Sequence, residues 1–276
     1  QVVYNSAKFI EPVFQSIFQQ TVKDIEVVAV IAGNDDHGKE LLIEKFPEVK
    51  IIDPGYNIGF SRGHNDYFSQ SDSEFFQLVN PDLILSTNYV EEMLQPFVDP
   101  KVGAVTGKLL KYDFDNNKPT NLIDTTGILY SRSGRGKDRG QHEIDVNQYD
   151  KFNKIIAVSG AGPMFRKAAL ESIKFMREDG RWEYFDEDFH SYWEDVDLSL
   201  RLTNGGYLCY YQPSALAYHG RAVGSSPGGY KKVWSFIKFH RQINPRIREL
   251  NYRNHILLFL KNSPIWYWQF FAREFF

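Results

Sequence analysis

A chain of 276 residues that is 42% hydrophobic and 16% aromatic can build one large α/β domain with an appendage, or two small domains, and is too apolar to be disordered. Its formal net charge of -3 lacks the basic balance of a nucleic-acid binder. The single cysteine, Cys209, excludes an internal disulfide framework; in the apolar run Tyr207 to Tyr211 it reads as a buried core thiol in a reducing cytosol.

In chain order, Val2-Val3-Tyr4 reads as the tail of a buried strand. Asn5-Ser6 caps a helix from Ala7 to Gln20, where Phe9, Ile10, Val13, Phe14, Ile17 and Phe18 recur at helical spacing. Ile25 to Ile31 reads as a strand buried on both faces of a parallel sheet. Strand, helix, strand opens a nucleotide-binding α/β fold, and the polar loop Gly33 to Gly38 sits at a strand's C-terminal end, where such folds place ligands. A helix from Leu41 to Phe46 and a strand from Val49 to Ile52 follow. The Gly-punctuated stretch Asn57 to Asn65 then leads into a helix whose N-terminus suits a phosphate, though an ordinary tight turn has the same residues.

Phe75 to Val79 is a further buried strand, ending in Asn80-Pro81-Asp82 before a strand at Leu83 to Leu85. A carboxylate there is placed to hold a divalent ion, and Asn-Pro-Asp is equally turn chemistry. A helix from Tyr89 to Phe97 and a strand from Val102 to Thr106 precede a long polar, Gly-rich loop from Asp113 to Lys154. The cations of that loop, between Ser131 and Gly140, face either a phosphate-bearing acceptor or water. Ile155 to Val158 resumes a strand, and the small residues Ser159-Gly160-Ala161-Gly162 let something approach the backbone. After a helix from Lys167 to Ile173 comes Trp193-Glu194-Asp195-Val196-Asp197, three carboxylates in four positions opening a helix that stops at Gly205-Gly206. Acids are favoured in a helix's first turn in any case. The rival reading is a general base. Strands at Tyr207 to Tyr211 and Ala215 to Tyr218 deliver His219, structural or a metal ligand according to where it stands relative to Asp82.

The order of Tyr4-Asn5-Ser6, Asn57-Ile58-Gly59-Phe60, Asn80-Pro81-Asp82, Ser159 to Gly162, Phe185 to Phe189, Glu194 to Arg201 and Tyr218-His219 resembles the inverting GT-A glycosyltransferases of family 2. Within that family it is most similar to bacterial rhamnosyltransferase-type members that build cell-surface polysaccharides. The resemblance runs from Val2 to about Gly220. It implies a GT-A fold with a mostly parallel central sheet in residues 1–224; beyond it, the shift in composition at Ser225 to Gly229 marks a linker to a C-terminal helical extension, 225–276. It also implies roles. Tyr4, Asn5, Asn57, Gly59, Asn65 and Asn80 would contact the donor nucleotide, a dTDP- or UDP-sugar. Asp82, with His219, would hold Mg²⁺ or Mn²⁺ across its phosphates. Asp195 would be the base, Trp193, Glu194, Gly160 and Gly162 would meet a glycan or lipid-linked acceptor, and Asp197 would be no more than a helix-start acid. Two departures stand out. Ile31-Ala32-Gly33-Asn34 lacks the family's nucleobase-contacting Asp, for which Asp35 or Asp36 would substitute, and Asn80 replaces the first Asp of the metal motif. They motivate a rival, a catalytically inactive sugar- or nucleotide-binding protein on the same fold; a third reading is a nucleotidyltransferase, which would share the nucleotide cradle without needing a base at Asp195.

No signal-peptide pattern precedes Val2, the chain starts almost inside a strand as a piece of a longer protein would, and no stretch reaches the roughly 18 apolar residues of a membrane span. The expected location is the cytoplasm. Basic, aromatic helices are expected at Tyr230 to His240 and Arg246 to Lys261, and Ile265 to Phe276 is dense in aromatic residues. Such a segment suits either the inner membrane face, where it would meet a lipid-linked acceptor, or packing on the catalytic domain or a second subunit.

Overall fold

The computed structural model of the protein describes residues 1–33, 37–131, 134, 136–151, 153–220 and 245–262. Helix α1 (Ala7–Phe18) forms where the apolar spacing places it and buries Phe9, Ile10, Val13, Phe14 and Ile17. Around it, β1 (Val2–Val3), β2 (Val28–Ile31) and β3 (Lys50–Ile52) make a three-stranded parallel sheet in that order, with α2 (Gly38–Lys45) crossing between β2 and β3. All four residues of β2 are buried, as a strand covered on both faces requires.

The larger sheet is not mostly parallel. It comprises β4 (Phe75–Gln77), β5 (Leu83–Leu85), β6 (Val102–Asp113), β7 (Lys118–Thr125), β10 (Lys154–Ile155), β11 (Met164–Arg166) and β14 (Leu208–His219), in the order β10-β14-β6-β11-β4, with β5 on β14 and β7 on β6. Only the β6–β14 pair is parallel; the other pairings are antiparallel. An antiparallel neighbour needs only a turn, whereas a parallel one needs a crossover of a dozen residues. β6 and β7, for instance, are joined by four residues.

Two further expectations change. The segment read as a loop from Asp113 to Lys154 contains β7 and a hairpin of β8 (Ile128–Tyr130) with β9 (Gly136–Asp138). It is held down from inside: Lys108 of β6 is buried and meets Asp150 at 2.9 Å, Asp145 at 3.1 Å and Asn147 at 3.1 Å. A polar segment is thus ordered because it answers a buried cation. The two strands expected near Tyr207 to Tyr218 are one, β14, whose register breaks between Gln212 and Leu216 around Pro213, a residue with no N–H for the ladder.

Helices cover both faces. On one, α1, α2 and α4 (Tyr89–Leu94) pack Phe14, Leu42 and Met93 on Val105 and Leu109. On the other, α3 (Phe60–Phe68), α5 (Lys167–Ile173) and α6 (Glu194–Asn204) pack Phe68, Leu170, Leu198 and Leu202 on Phe76, Ala104 and Phe165. Cys209 lies in this second layer, its thiol pushed up to about 12 by burial. Between β11 and α6 runs the small hairpin of β12 (Phe175–Met176) and β13 (Trp182–Glu183). A last helix, α7 (Pro245–Asn262), seats Leu258 on Ile128, Ala157, Phe189 and Val196. The helix expected at Tyr230 to His240 and the aromatic stretch Ile265 to Phe276 lie outside the described residues. Among the described residues no helix is long and apolar enough to cross a membrane.

Candidate active site

At the C-terminal end of β1, Tyr4 and Asn5 are exposed, Asn5 with φ of 45°. The Tyr4 ring rests on the backbone of Gly33, where a Cβ would stand 3.2 Å from it. Asp35 and Asp36, expected at the nucleobase, lie outside the described residues. Ahead of α3, the Asn57 carboxamide oxygen accepts the Gly59 N–H at 2.9 Å, and Gly59 turns the chain at φ +77° with the His190 ring against it. Asn65, expected at the donor, is spent elsewhere. Its oxygen accepts the Tyr184 and Phe185 N–H groups, and its nitrogen donates to the Phe185 carbonyl at 2.7 Å, so it braces α3 to the segment after β13.

The turn before β5 is pinned by backbone. Asn80 donates its N–H to the Ala161 carbonyl at 2.8 Å, and the Asp82 carbonyl accepts the Gly220 N–H at 2.9 Å. The end of β14 therefore lies beside Asp82. His219 Nε2 is 3.1 Å from Asp82 Oδ1, and its Nδ1 is 2.9 Å from Asp124 Oδ2, with all three residues buried. Burial alone would lower the imidazole's pKa, but Asp82 and then Asp124 outweigh it and push it up to about 10. Asp124 sits on β7, in the stretch read from the sequence as loop. The available signal was the strand-like Ile123-Asp124-Thr125-Thr126, an acid inside a β-branched run.

The acidic cluster divides sharply. Asp195 is partly exposed; its Oδ2 accepts the Gly160 N–H at 2.7 Å and its Oδ1 the Val196 N–H at 2.8 Å. Burial raises its pKa, the two backbone N–H groups pull it back, and Asp138 on β9 raises it further. Glu194 is 7% exposed, its Oε2 has no hydrogen-bond partner among the described residues, and burial followed by the charge of Asp195 raises its pKa. Asp197 is more than a helix-start acid: fully buried, it pairs with Arg201 at 2.8 Å, Lys261 at 3.3 Å and the Asn262 carboxamide at 2.8 Å.

Gly160 lies directly against the Asp195 carboxylate, whereas Gly162 is buried under Leu83 and gives its carbonyl to the Tyr89 hydroxyl, so it packs strands rather than meeting a ligand. Of the loop cations, Arg139 turns inward to Thr126 and over the Tyr211 ring. Residues 160 and 161 join the two centres, one N–H going to Asp195 and the next carbonyl to Asn80. A cavity of about 520 Å³ between β2, α3 and β4 touches neither centre.

Residues 2–173 match the sequence profile described as Glycosyl transferase family 2. A curated relative, the N-acetylglucosaminyl-diphospho-decaprenol L-rhamnosyltransferase of Mycobacterium tuberculosis, is 22% identical over 253 residues, 83% of this chain and 78% of its own. Among solved structures, mannosyltransferase PcManGT from Pyrobaculum calidifontis, in complex with GDP-Man and Mn²⁺, aligns with TM-score 0.54 at 18% identity, covering 98% of this chain and 70% of its own. GalNAc-T7 with UDP, GalNAc and Mn²⁺ aligns with TM-score 0.59 at 15% identity, covering 88% of this chain and 51% of its own. The fold is that of the GT-A glycosyltransferases, with a mixed central sheet.

Proposed function

The chain belongs to glycosyl transferase family 2, and we propose that it moves a sugar from a nucleoside diphosphate to an acceptor hydroxyl in one inverting displacement. The observation that carries this reading is Asp195, a partly exposed carboxylate of raised proton affinity, pinned by two N–H groups and joined through residues 160 and 161 to the Asp82–His219 pair. Asp195 takes the acceptor proton as the hydroxyl oxygen bonds to the anomeric carbon. The diphosphate leaves from the opposite face with the electrons of the broken bond. A base raised toward neutrality matches proton affinity to the working pH better than an ordinary carboxylate.

Trp193, Glu194 and Gly160 form the acceptor side of this reading. Tyr4 on its Gly33 shelf, with Asn5, Asn57, Gly59 and Asn80, forms the donor side, all within a transferase domain of residues 1–224. Asp82 and His219 would hold a divalent cation once it displaces the proton on His219 Nε2: a carboxylate oxygen and an imidazole nitrogen lie 3.1 Å apart, and Asp124 anchors the other ring nitrogen, as a ligating histidine is usually oriented. Among the described residues no three or more His, Cys, Asp or Glu side chains form a protein cage, so phosphate oxygens and water would complete the shell, as suits Mg²⁺ or Mn²⁺. When bound, the ion supplies Lewis-acid stabilisation of the departing diphosphate.

The mycobacterial relative, named for L-rhamnose transfer to a diphospho-decaprenol-linked sugar, supports rhamnose as the sugar and a lipid-linked saccharide as the acceptor; dTDP as the carrier and a cell-surface glycan as the product complete the reading. A thermal-shift panel of dTDP-, UDP- and GDP-sugars with and without Mn²⁺ tests base, sugar and metal together, since a ligand of the folded state raises its melting temperature. Release of nucleoside diphosphate that depends on Asp195 is the result expected. Tight binding with no turnover would instead favour a sugar-binding protein, a reading that Asn80 at the metal turn keeps in view.

A further inference from the structure

The segment entering α6 passes through the left-handed region at three residues that carry side chains: His190 at φ 60°, Tyr192 at 73° and Trp193 at 73°. For bulky aromatic residues such angles are outliers, and they persist only where neighbours over-determine them. The neighbour is α7. Asn254 is 0% exposed, and the two protons of its carboxamide nitrogen are shared among three carbonyls of that segment: Phe189 at 2.7 Å, Ser191 at 2.8 Å and Tyr192 at 2.9 Å. Arg253 adds a bond to the Asp188 carbonyl at 2.6 Å and also holds the Asn254 oxygen.

The Trp193 ring is gripped as well. Its Nε1 donates to Asn251 at 3.2 Å, the ring stacks on His255, and its Cζ3 lies so close to Gly136 that a Cβ there would be 2.5 Å away. Beyond the segment, Lys261 pairs with Asp186, and Asn262 bonds to Asp197. Thus Asn251, Asn254, His255, Leu258, Lys261 and Asn262, spaced three and four apart, form one face of α7 directed at residues 186–197. A helix that only covered a core would bury an apolar stripe. This one buries an amide, which is tolerated because the carbonyls of a single backbone conformation satisfy it.

We propose that α7 is a positioning element of the transfer site, with Asn254 its central residue. By holding the strained 189–193 backbone it sets the direction in which Glu194 and Asp195 face the acceptor. This rests on the reading of Asp195 as the base, so the test separates the two.

In the full chain, Asn254→Ala and the isosteric Asn254→Asp are compared with Asp195→Asn, using whichever dTDP-, UDP- or GDP-sugar the parent chain turns over. Both Asn254 variants are expected to lower kcat by about 10- to 100-fold, the scale of a small misplacement of reacting groups. Donor KM should stay within about twofold, as expected for loss of an interaction outside ground-state donor binding, and hydrogen exchange at 186–198 should rise. Near-parental kcat in Asn254→Asp would assign Asn254 to packing and overturn the proposal. So would unchanged exchange at 186–198, or a loss of donor binding that parallels the loss of kcat. If neither variant folds, Asn251→Ala, which removes the acceptor for the Trp193 ring and, within α7, a bond to the Ile247 carbonyl, must lower kcat at constant donor KM, and unchanged kcat refutes the idea. Undiminished turnover in Asp195→Asn, or no turnover by the parent, refutes the reading of the base instead, while the exchange measurement still decides whether Asn254 holds the segment.

Discussion

The proposed donor and acceptor sides of the site are built by different means. On the proposed donor side, Tyr4 and Asn5 follow β1 and Asn57 and Gly59 lead into α3; Tyr4, Asn5 and Asn57 are exposed, and Asn57 is shaped by Gly59 two residues on. On the acceptor side, the residues around Asp195 are tied to partners 35 to 65 positions away: Gly160 to the carboxylate, Asn262 to Asp197, Asn254 to Phe189. A shallow, locally made surface tolerates single changes and mainly tunes affinity. A buried, cross-tied one transmits them to the chemistry, because each lost partner leaves a polar group unsatisfied.

The contrast makes a ranked set of expectations. The largest effect is that of Asp195→Asn, a near-isosteric change expected to lower kcat by about 10² to 10⁴ with donor binding retained, read from nucleoside diphosphate release and calorimetric binding. Asp124→Asn comes next. It leaves His219 in place but removes the charge that anchors its Nδ1, and should weaken Mn²⁺ affinity by about 10- to 100-fold in a direct titration followed by electron paramagnetic resonance. Unchanged affinity would show that Asp124 merely packs.

A third expectation concerns pH. As the proposed base, Asp195 would act only when ionised, and its pKa is raised, by burial first, so kcat/KM should fall as pH drops through a limb above the ordinary Asp range. Asp138→Asn removes a charge that contributes to the rise and should move that limb to lower pH, which a pH–rate profile of the two proteins compares. The smallest effect belongs to the donor side. Tyr4→Ala removes the ring resting on Gly33 and should raise donor KM by about 5- to 10-fold, with kcat within a factor of about 2, the low end of the roughly 1 to 3 kcal/mol that a base stacked on an aromatic ring contributes. A kcat loss as large as that of Asp195→Asn would erase the distinction between the two sides.

Legibility followed the same divide. Helical spacing placed α1 and a continuous β-branched run placed β2, and α5 and α6 also form close to where the sequence puts them, since each buries its own apolar residues, α1 on one face and β2 on both. The antiparallel strands of the larger sheet were harder. β7 mixes Lys, Pro, Asn and Asp with Thr, Leu and Ile in no regular alternation and is ordered by its pairing with β6, which its own residues do not announce. Asn65 matched a motif in the sequence, yet its carboxamide braces Phe185, because the identity of a polar residue does not say which buried backbone it will satisfy.

By itself the sequence determined the layers and the order of the motifs: apolar spacing decides which face of an element is buried, and Tyr4, Gly59, Asp82, Gly160, Asp195 and His219 follow one another as the fold requires. Only the tertiary structure decided how three carboxylates within four positions differ. Asp195 has two N–H donors and a path to solvent, Glu194 has burial and an unpartnered oxygen, and Asp197 has Arg201, Lys261 and Asn262. Only it could bring Asp124 to His219 and Asn254 to the backbone before Trp193. The physical reason is that the proton affinity and orientation of a side chain depend on desolvation and on partners distant along the chain, which no local pattern encodes.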